Sequence, residues 1–107
     1  MNQFNSNSNN ERFILNEEDD LEDFGSRPYD RSIPELLNNG IIFVDKQSGP
    51  TSHQIVSWVR SMLNQKKAGH SGTLDPQVTG LLPIGLGDAT KALSILLYGA
   101  KEYVAVI

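Results

Sequence analysis

Gly69-His70-Ser71-Gly72-Thr73-Leu74-Asp75-Pro76-Gln77-Val78-Thr79-Gly80 (GHSGTLDPQVTG) decides how this 107-residue chain is read. It sets one carboxylate, Asp75, in a glycine-punctuated loop, with His70 five positions earlier. Glycines let a backbone turn tightly and pass close to a ligand, and loops on a rigid scaffold are where functional side chains are presented. Taken alone, an Asp-Pro step is an ordinary turn. The flanking sequence makes it more than that.

Before the loop, Gly40–Asp45 (GIIFVD) is a short β-branched apolar run that reads as a buried strand. Lys46–Pro50 reads as a turn. Thr51 with Gln54 three residues on forms a capping-box signature. Ile55, Val56, Trp58, Val59, Met62 and Leu63 then recur at helical spacing, so 51–64 reads as an amphipathic helix with Trp58 in the core. Further upstream, Ser32 and Asn39-Gly40 bracket one or two helical turns over 34–38, preceded by an extended arm over 25–34.

After the loop, Leu81–Leu86 reads as a strand interrupted by Pro83. Asp88 reads as the cap of a second helix ending at Gly99, with Leu93, Leu96 and Leu97 on its buried face. Glu102–Ile107 (EYVAVI) reads as a strand that meets the C-terminus with no stop signal. The domain therefore reads as truncated, with a core thin enough that residues 1–107 alone are expected to be marginally stable.

Composition bounds the rest. Hydrophobic residues make up 38% of the chain, below the usual globular range. The deficit lies in an Asn/Ser-rich and then acidic N-terminus, and residues 1–22 are expected to be a disordered tail. There is no cysteine, hence no disulfide and no thiol nucleophile, and two histidines are too few to suggest a metal cluster. No apolar run reaches membrane-spanning length and no secretory signal is visible, so the expectation is a cytoplasmic protein with no membrane partner. Residues 1–40 hold nine acids and three bases, and residues 41–107 four acids and six bases. The globular part is thus mildly basic, which permits an RNA partner.

Four blocks now stand in order: Lys46–Ser52 (KQSGPTS), Gly69–Gly80, Leu81–Lys91 (LLPIGLGDATK) and Lys101-Glu102-Tyr103 (KEY). In this order and spacing the chain resembles the TruB/dyskerin family of RNA pseudouridine synthases from about Gly40 to Ile107, most specifically at Gly69–Gly80. Residues 23–40, with Arg27-Pro28, Arg31, Ile33, Leu36-Leu37 and Gly40, resemble the segment that precedes the catalytic domain in archaeal and eukaryotic members. The phrasing of 49–53 and 75–80 favours the archaeal, guide-RNA-dependent branch.

The resemblance implies an α+β fold: the N-terminal part of the synthase catalytic domain, over 41–107, with a mixed sheet and two helices. It implies isomerisation of uridine to pseudouridine in rRNA or tRNA, with Asp75 as the catalytic carboxylate and no metal or cofactor. Whether Asp75 attacks or deprotonates the ribose, or adds to the uracil ring, stays open. Tyr103 is implied to stack on the flipped base and His70 to lie beside the flipped nucleotide; their plain alternatives are a half-buried strand aromatic and a loop hydrogen-bonder. Gly69, Gly72, Thr73, Leu74 and Gly80 are expected to shape the loop, and Lys46, Gly49 and Thr51 to support it. Lys91 and Lys101 are candidate phosphate contacts, although single lysines are usually just solvated, and His53 is expected on the surface.

Implied partners are tRNA or rRNA, an H/ACA guide RNA and small H/ACA proteins. The sequence departs from the family at Gln47, where proline is usual. The family's basic partner for the aspartate and its C-terminal RNA-binding domain are expected beyond Ile107. Two rivals stand beside this reading: a stand-alone synthase acting on the tRNA T-loop, and a truncated, inactive RNA- or protein-interaction module.

Overall fold

A computed structural model describes residues 25–107. The acidic tail expected over 1–22 lies outside these residues, as does the start of the 23–40 segment. After a 3-10 turn at Pro28–Asp30, in the stretch expected to be extended, helix α1 spans Ile33–Asn39. Strand β1 is Ile41–Lys46, α2 is Ser52–Met62, β2 is Ala68–His70 and β3 is Gly80–Leu86. A 3-10 helix over Gly87–Tyr98 follows.

The strands form one sheet in the order β1-β3-β2. Both pairings are antiparallel, with Phe43 opposite Pro83 and Gly69 opposite Gly85. The architecture is α+β, and the sheet built by the described residues is antiparallel where a mixed one was expected. Strand period two sends Ile42, Val44 and Lys46 to one face of β1 and Leu82, Ile84 and Leu86 to the same face of β3. There they meet Val56, Ile55 and Val59 of α2, with Leu63 just past its end, to make the core. β1 is therefore half-buried rather than buried, because its alternate residues Ile41, Phe43 and Asp45 are exposed. Pro83 does not interrupt β3. Its carbonyl accepts from Ser71 N at 3.4 Å, so its proline nitrogen also faces the β2 side, beyond His70 where that ladder has ended.

Both α-helices begin with complete capping boxes. Thr51 Oγ1 accepts from Gln54 N at 3.0 Å while Thr51 N donates to Gln54 Oε1 at 2.9 Å. Ser32 and Glu35 do the same at α1. Helix α2 ends in a Schellman motif: Asn64 adopts φ 50°, its N–H reaches Ser61 O, and Gln65 N reaches Arg60 O. Trp58 is not core. It is 54% exposed, on the flank of the stripe that Ile55, Val56, Val59 and Leu63 present to a sheet only three strands wide.

The opposite sheet face receives the 3-10 helix. Gly85 makes this approach possible, since a Cβ there would lie 2.9 Å from Leu93 Cδ1 and 3.0 Å from Ala89 O. Gly87, at φ 56°, is in contact with the Asn38 carbonyl of α1, and only glycine fits both demands. Asp88 does not cap this helix. The N-cap is Leu86 with no side-chain bond, and Asp88 instead lies 3.9 Å from the Lys91 ammonium, an exposed pair of small energetic weight. Of the expected buried face only Leu93 is buried, while Leu96 and Leu97 are 40% and 50% exposed. Glu102–Ile107 forms no strand, because none of the described strands pairs with it.

Candidate active site

The Asp75 loop is held from beneath by the connection between β1 and α2. Lys46, last residue of β1 and inward-facing by strand period, is fully buried. Its Nζ donates to Asp75 O at 3.1 Å, Pro76 O at 3.1 Å, Val78 O at 2.8 Å and Gln47 O at 3.1 Å. All these acceptors are backbone carbonyls, so the ammonium charge is stabilised by converging peptide dipoles rather than by a carboxylate. Gly49, at φ 120°, adds an N–H to Pro76 O at 2.8 Å. Ser52 Oγ donates to Leu74 O and accepts from Leu74 N, each at 3.0 Å. Thr51 makes its bonds to Gln54, and so supports the loop only by fixing where α2, and hence Ser52, begins.

Asp75-Pro76-Gln77-Val78 closes as a β-turn, with Val78 N donating to Asp75 O at 3.0 Å. Asp at the first position and Pro at the second suit such a turn. The Leu74 side chain packs against the core and sits 3.7 Å from where a Cβ on Gly80 would be. The Asp75 carboxylate is left exposed, and among the described residues no hydrogen-bond donor holds it. The result is a fixed backbone presenting a free carboxylate.

Above this loop lies an open cavity of about 400 Å³. Gly72, Thr73, Leu74 and Gly80 line one side, Phe43, Leu81 and Pro83 the floor, and Gly99–Tyr103 with Leu96 the other side. Tyr103 is 66% exposed along this wall. Asp75 itself stands one residue past the lining, next to Leu74. His70 Nδ1 lies 2.8 Å from Gly72 O. A carbonyl only accepts, so Nδ1 carries a proton and donates it to Gly72 O. Gly72 and Gly80 have positive φ, and Gly69 is an ordinary strand residue. Lys101, also on the wall, donates to Leu97 O at 3.1 Å; Lys91 and His53 are exposed and away from the cavity lining.

The structure thus gathers Gly72, Thr73, Leu74, Gly80 and Tyr103 around one cavity, with Lys46 and Gly49 behind the loop and His70 beside it. Sequence reasoning placed Ser52 only in the Lys46–Ser52 block and at the start of a helix, and missed Phe43 and Leu81 on the cavity floor. Their signal was available in the period of two, which puts Phe43 opposite Ile42 and Val44.

The arrangement is a loop-borne carboxylate at the edge of a mainly apolar cavity bordered by Phe43 and Tyr103. Residues 60–107 match the N-terminal domain of the TruB family of pseudouridylate synthases, and residues 7–56 match the DKCLD (NUC011) domain. "Probable tRNA pseudouridine synthase B" of Methanococcus maripaludis is 56% identical over 84 residues, 78% of this chain and 25% of that protein. Its namesake from Nanoarchaeum equitans is 53% identical over 97 residues, 91% of this chain and 28% of that protein. The archaeal box H/ACA Nop10-Cbf5 complex contains a chain 48% identical to this one, with a TM-score of 0.65, covering 68% of this chain and 24% of that one. An H/ACA ribonucleoprotein bound to a substrate RNA containing 2'-deoxyuridine gives 46% identity and a TM-score of 0.61, over 65% of this chain and 22% of that one. The chain belongs to the TruB/dyskerin family of RNA pseudouridine synthases. It spans about a quarter of the length of the curated relatives it matches. No helix among the described residues is long and apolar enough to cross a membrane.

Proposed function

We propose that this chain carries the catalytic loop of an archaeal-type RNA pseudouridine synthase, and that the whole protein is the catalytic subunit of an H/ACA guide ribonucleoprotein acting on rRNA or tRNA in the cytoplasm. The observation that carries this reading is the pinned Leu74–Val78 backbone, which offers the free Asp75 carboxylate at the edge of the cavity that Tyr103 borders.

The reaction breaks the N1–C1' bond of a uridine, turns the base, and joins C5 to C1'; C5 loses its proton and N1 gains one, so the product is an isomer. The nucleotide must leave its stack for C1' and C5 to be reached. In this reading the flipped uracil enters the cavity against Tyr103, with Gly72 and Gly80 leaving room for its approach. Asp75 reacts with the ribose or the ring and is released unchanged. His70, its Nδ1 proton committed to Gly72 O, presents its Nε2 edge beside the nucleotide. Partners of the whole protein would be a guide RNA, the substrate RNA and small H/ACA proteins; the assemblies containing its structural neighbours hold a substrate RNA, Nop10 and Gar1.

A second reading is favoured by the relatives named as tRNA pseudouridine synthase B: action on the tRNA T-loop without a guide. The test is pseudouridine mapping on tRNA and rRNA incubated with the full-length protein, with and without guide RNA and partner proteins. Product only with the guide supports the first reading, and product on bare tRNA the second. No product under either condition removes both and leaves a non-catalytic RNA-binding module.

A further inference from the structure

Resting on the reading of Asp75 as the catalytic carboxylate, we propose that Ser52 is a positioning residue for Asp75, fixing the carboxylate through the backbone of Leu74. Ser52 is the first residue of α2 and is 1% exposed, so it cannot touch RNA. Its hydroxyl is spent wholly on one residue, accepting from Leu74 N and donating to Leu74 O, each at 3.0 Å. One hydroxyl bound to both polar groups of a single residue fixes its height and its rotation about the chain axis. Leu74 is also anchored through its side chain in the core. The residue before Asp75 is therefore held at three points.

Lys46 acts on the other side, through the carbonyls of Asp75, Pro76 and Val78. The two anchors differ in kind. Lys46 gathers a turn by charge and tolerates small shifts, since four carbonyls compete for three N–H groups. Ser52 holds one residue in two directional bonds. Loss of the hydroxyl leaves the loop attached but lets Leu74 turn, and the adjacent carboxylate turns with it. A displacement of about 1 Å at a reacting group costs on the order of 100-fold in rate.

The experiment compares Ser52→Ala, Ser52→Thr and Val56→Ala in the full-length protein. Val56 lies on the same helix, in the core, and its side chain makes no hydrogen bond to the loop, so it controls for loss of stability without loss of the two Leu74 bonds. Expected is a fall in kcat of roughly 10- to 100-fold for S52A with KM for RNA within about twofold, restoration to within about threefold by S52T, and unchanged kcat per folded enzyme for V56A at saturating RNA. Hydrogen exchange at the Leu74 amide should accelerate at least about tenfold in S52A and stay protected in S52T. An S52A enzyme with near-normal kcat, or a kcat loss equalled by V56A, overturns the inference while leaving the function standing. A wild-type protein that forms no pseudouridine overturns the function itself. Should S52A fail to fold, an unprotected Leu74 amide in the wild type overturns the inference and a protected one with full activity in S52T supports it.

Discussion

Two stretches of this molecule lack helix and strand alike, and they could hardly differ more. In Leu74–Val78 the carbonyls of Leu74, Asp75, Pro76 and Val78 are tied to Ser52, Lys46 and Gly49. Gly99–Ile107 runs exposed, with Tyr103, Val104 and Val106 at 66%, 90% and 98% exposure and no ladder bonds. Regular structure is thus not what orders a site here. Side chains from one short connection, Lys46 to Ser52, substitute for a ladder by donating into the loop's carbonyls. The segment bearing the Asp75 carboxylate is tied down by hydrogen bonds; the segment bearing Tyr103 is exposed and makes no such bonds to the sheet.

The sharpest test of this contrast is Asp75→Asn. It keeps the turn and its backbone bonds but removes the charge and nucleophilicity, so pseudouridine formation should fall at least about 10³-fold while RNA affinity stays within about twofold. Quantified product by base-resolved mapping beside a filter-binding curve checks both halves. Activity near wild type would falsify the assignment of the rigid segment as the reactive one.

Lys46→Met attacks the rigidity instead. It deprives four part-buried carbonyls of the side-chain donor they share; each unsatisfied group costs about 1–3 kcal/mol, and a total loss of about 3 kcal/mol is expected after water enters the gap. Chemical denaturation measures it. Activity should drop by on the order of 100-fold, because the loop is displaced and not deleted. A variant as stable and active as the wild type would show that the four carbonyls do not need the ammonium.

Tyr103→Ala probes the exposed wall. Loss of base stacking is worth about 1–3 kcal/mol, or roughly a 5- to 150-fold weaker interaction with the flipped nucleotide, with the fold unchanged because the ring buries little. Tyr103→Phe should retain nearly all activity, since a phenyl ring stacks as well. If Phe is as damaging as Ala, the hydroxyl rather than the ring face carries the role.

Much of this was legible in the sequence where the signal is local. Ser32 and Thr51 with acceptors three residues on cap α1 and α2 as read, and the 69–80 glycines and Asp-Pro step mark the loop. Long-range partners were not legible. Lys46 meets carbonyls 29 to 32 positions away, a distance closed only by the β1–β3 register. The three-residue strand β2 is too short to show a period, and it was read as loop. EYVAVI has strand composition, but strand formation needs a neighbour's N–H and C=O groups, which composition cannot announce. Trp58 has helical spacing yet lies outside the arc that one narrow sheet can cover.

The smallest expected effect separates the two capping boxes. At α1 the box is ionisable: Ser32 Oγ and Ser32 N each reach Glu35 Oε2 at 2.7 Å. These hydrogen bonds, the side-chain one foremost and then the backbone one, hold the Glu35 carboxyl below its ordinary pKa against a slight opposing desolvation, with nearby Arg31 helping. At α2 the partner is Gln54, which has no proton to gain. A folded pKa below the unfolded one means that the stabilisation is fully present above about pH 4.3, the unfolded glutamate value, and is lost as pH falls through the lower folded value. Acid should therefore loosen the start of α1 while leaving α2, Ser52 and the Asp75 loop capped. The check is a pH titration of the Ser32 and Thr51 amide resonances. The Ser32 signal should move with a midpoint below pH 4.3 and that movement should vanish in Glu35→Gln, while Thr51 stays still. Parallel movement of both amides would mean that acid acts on the fold as a whole, and the contrast between an ionisable and a neutral cap would lose its meaning.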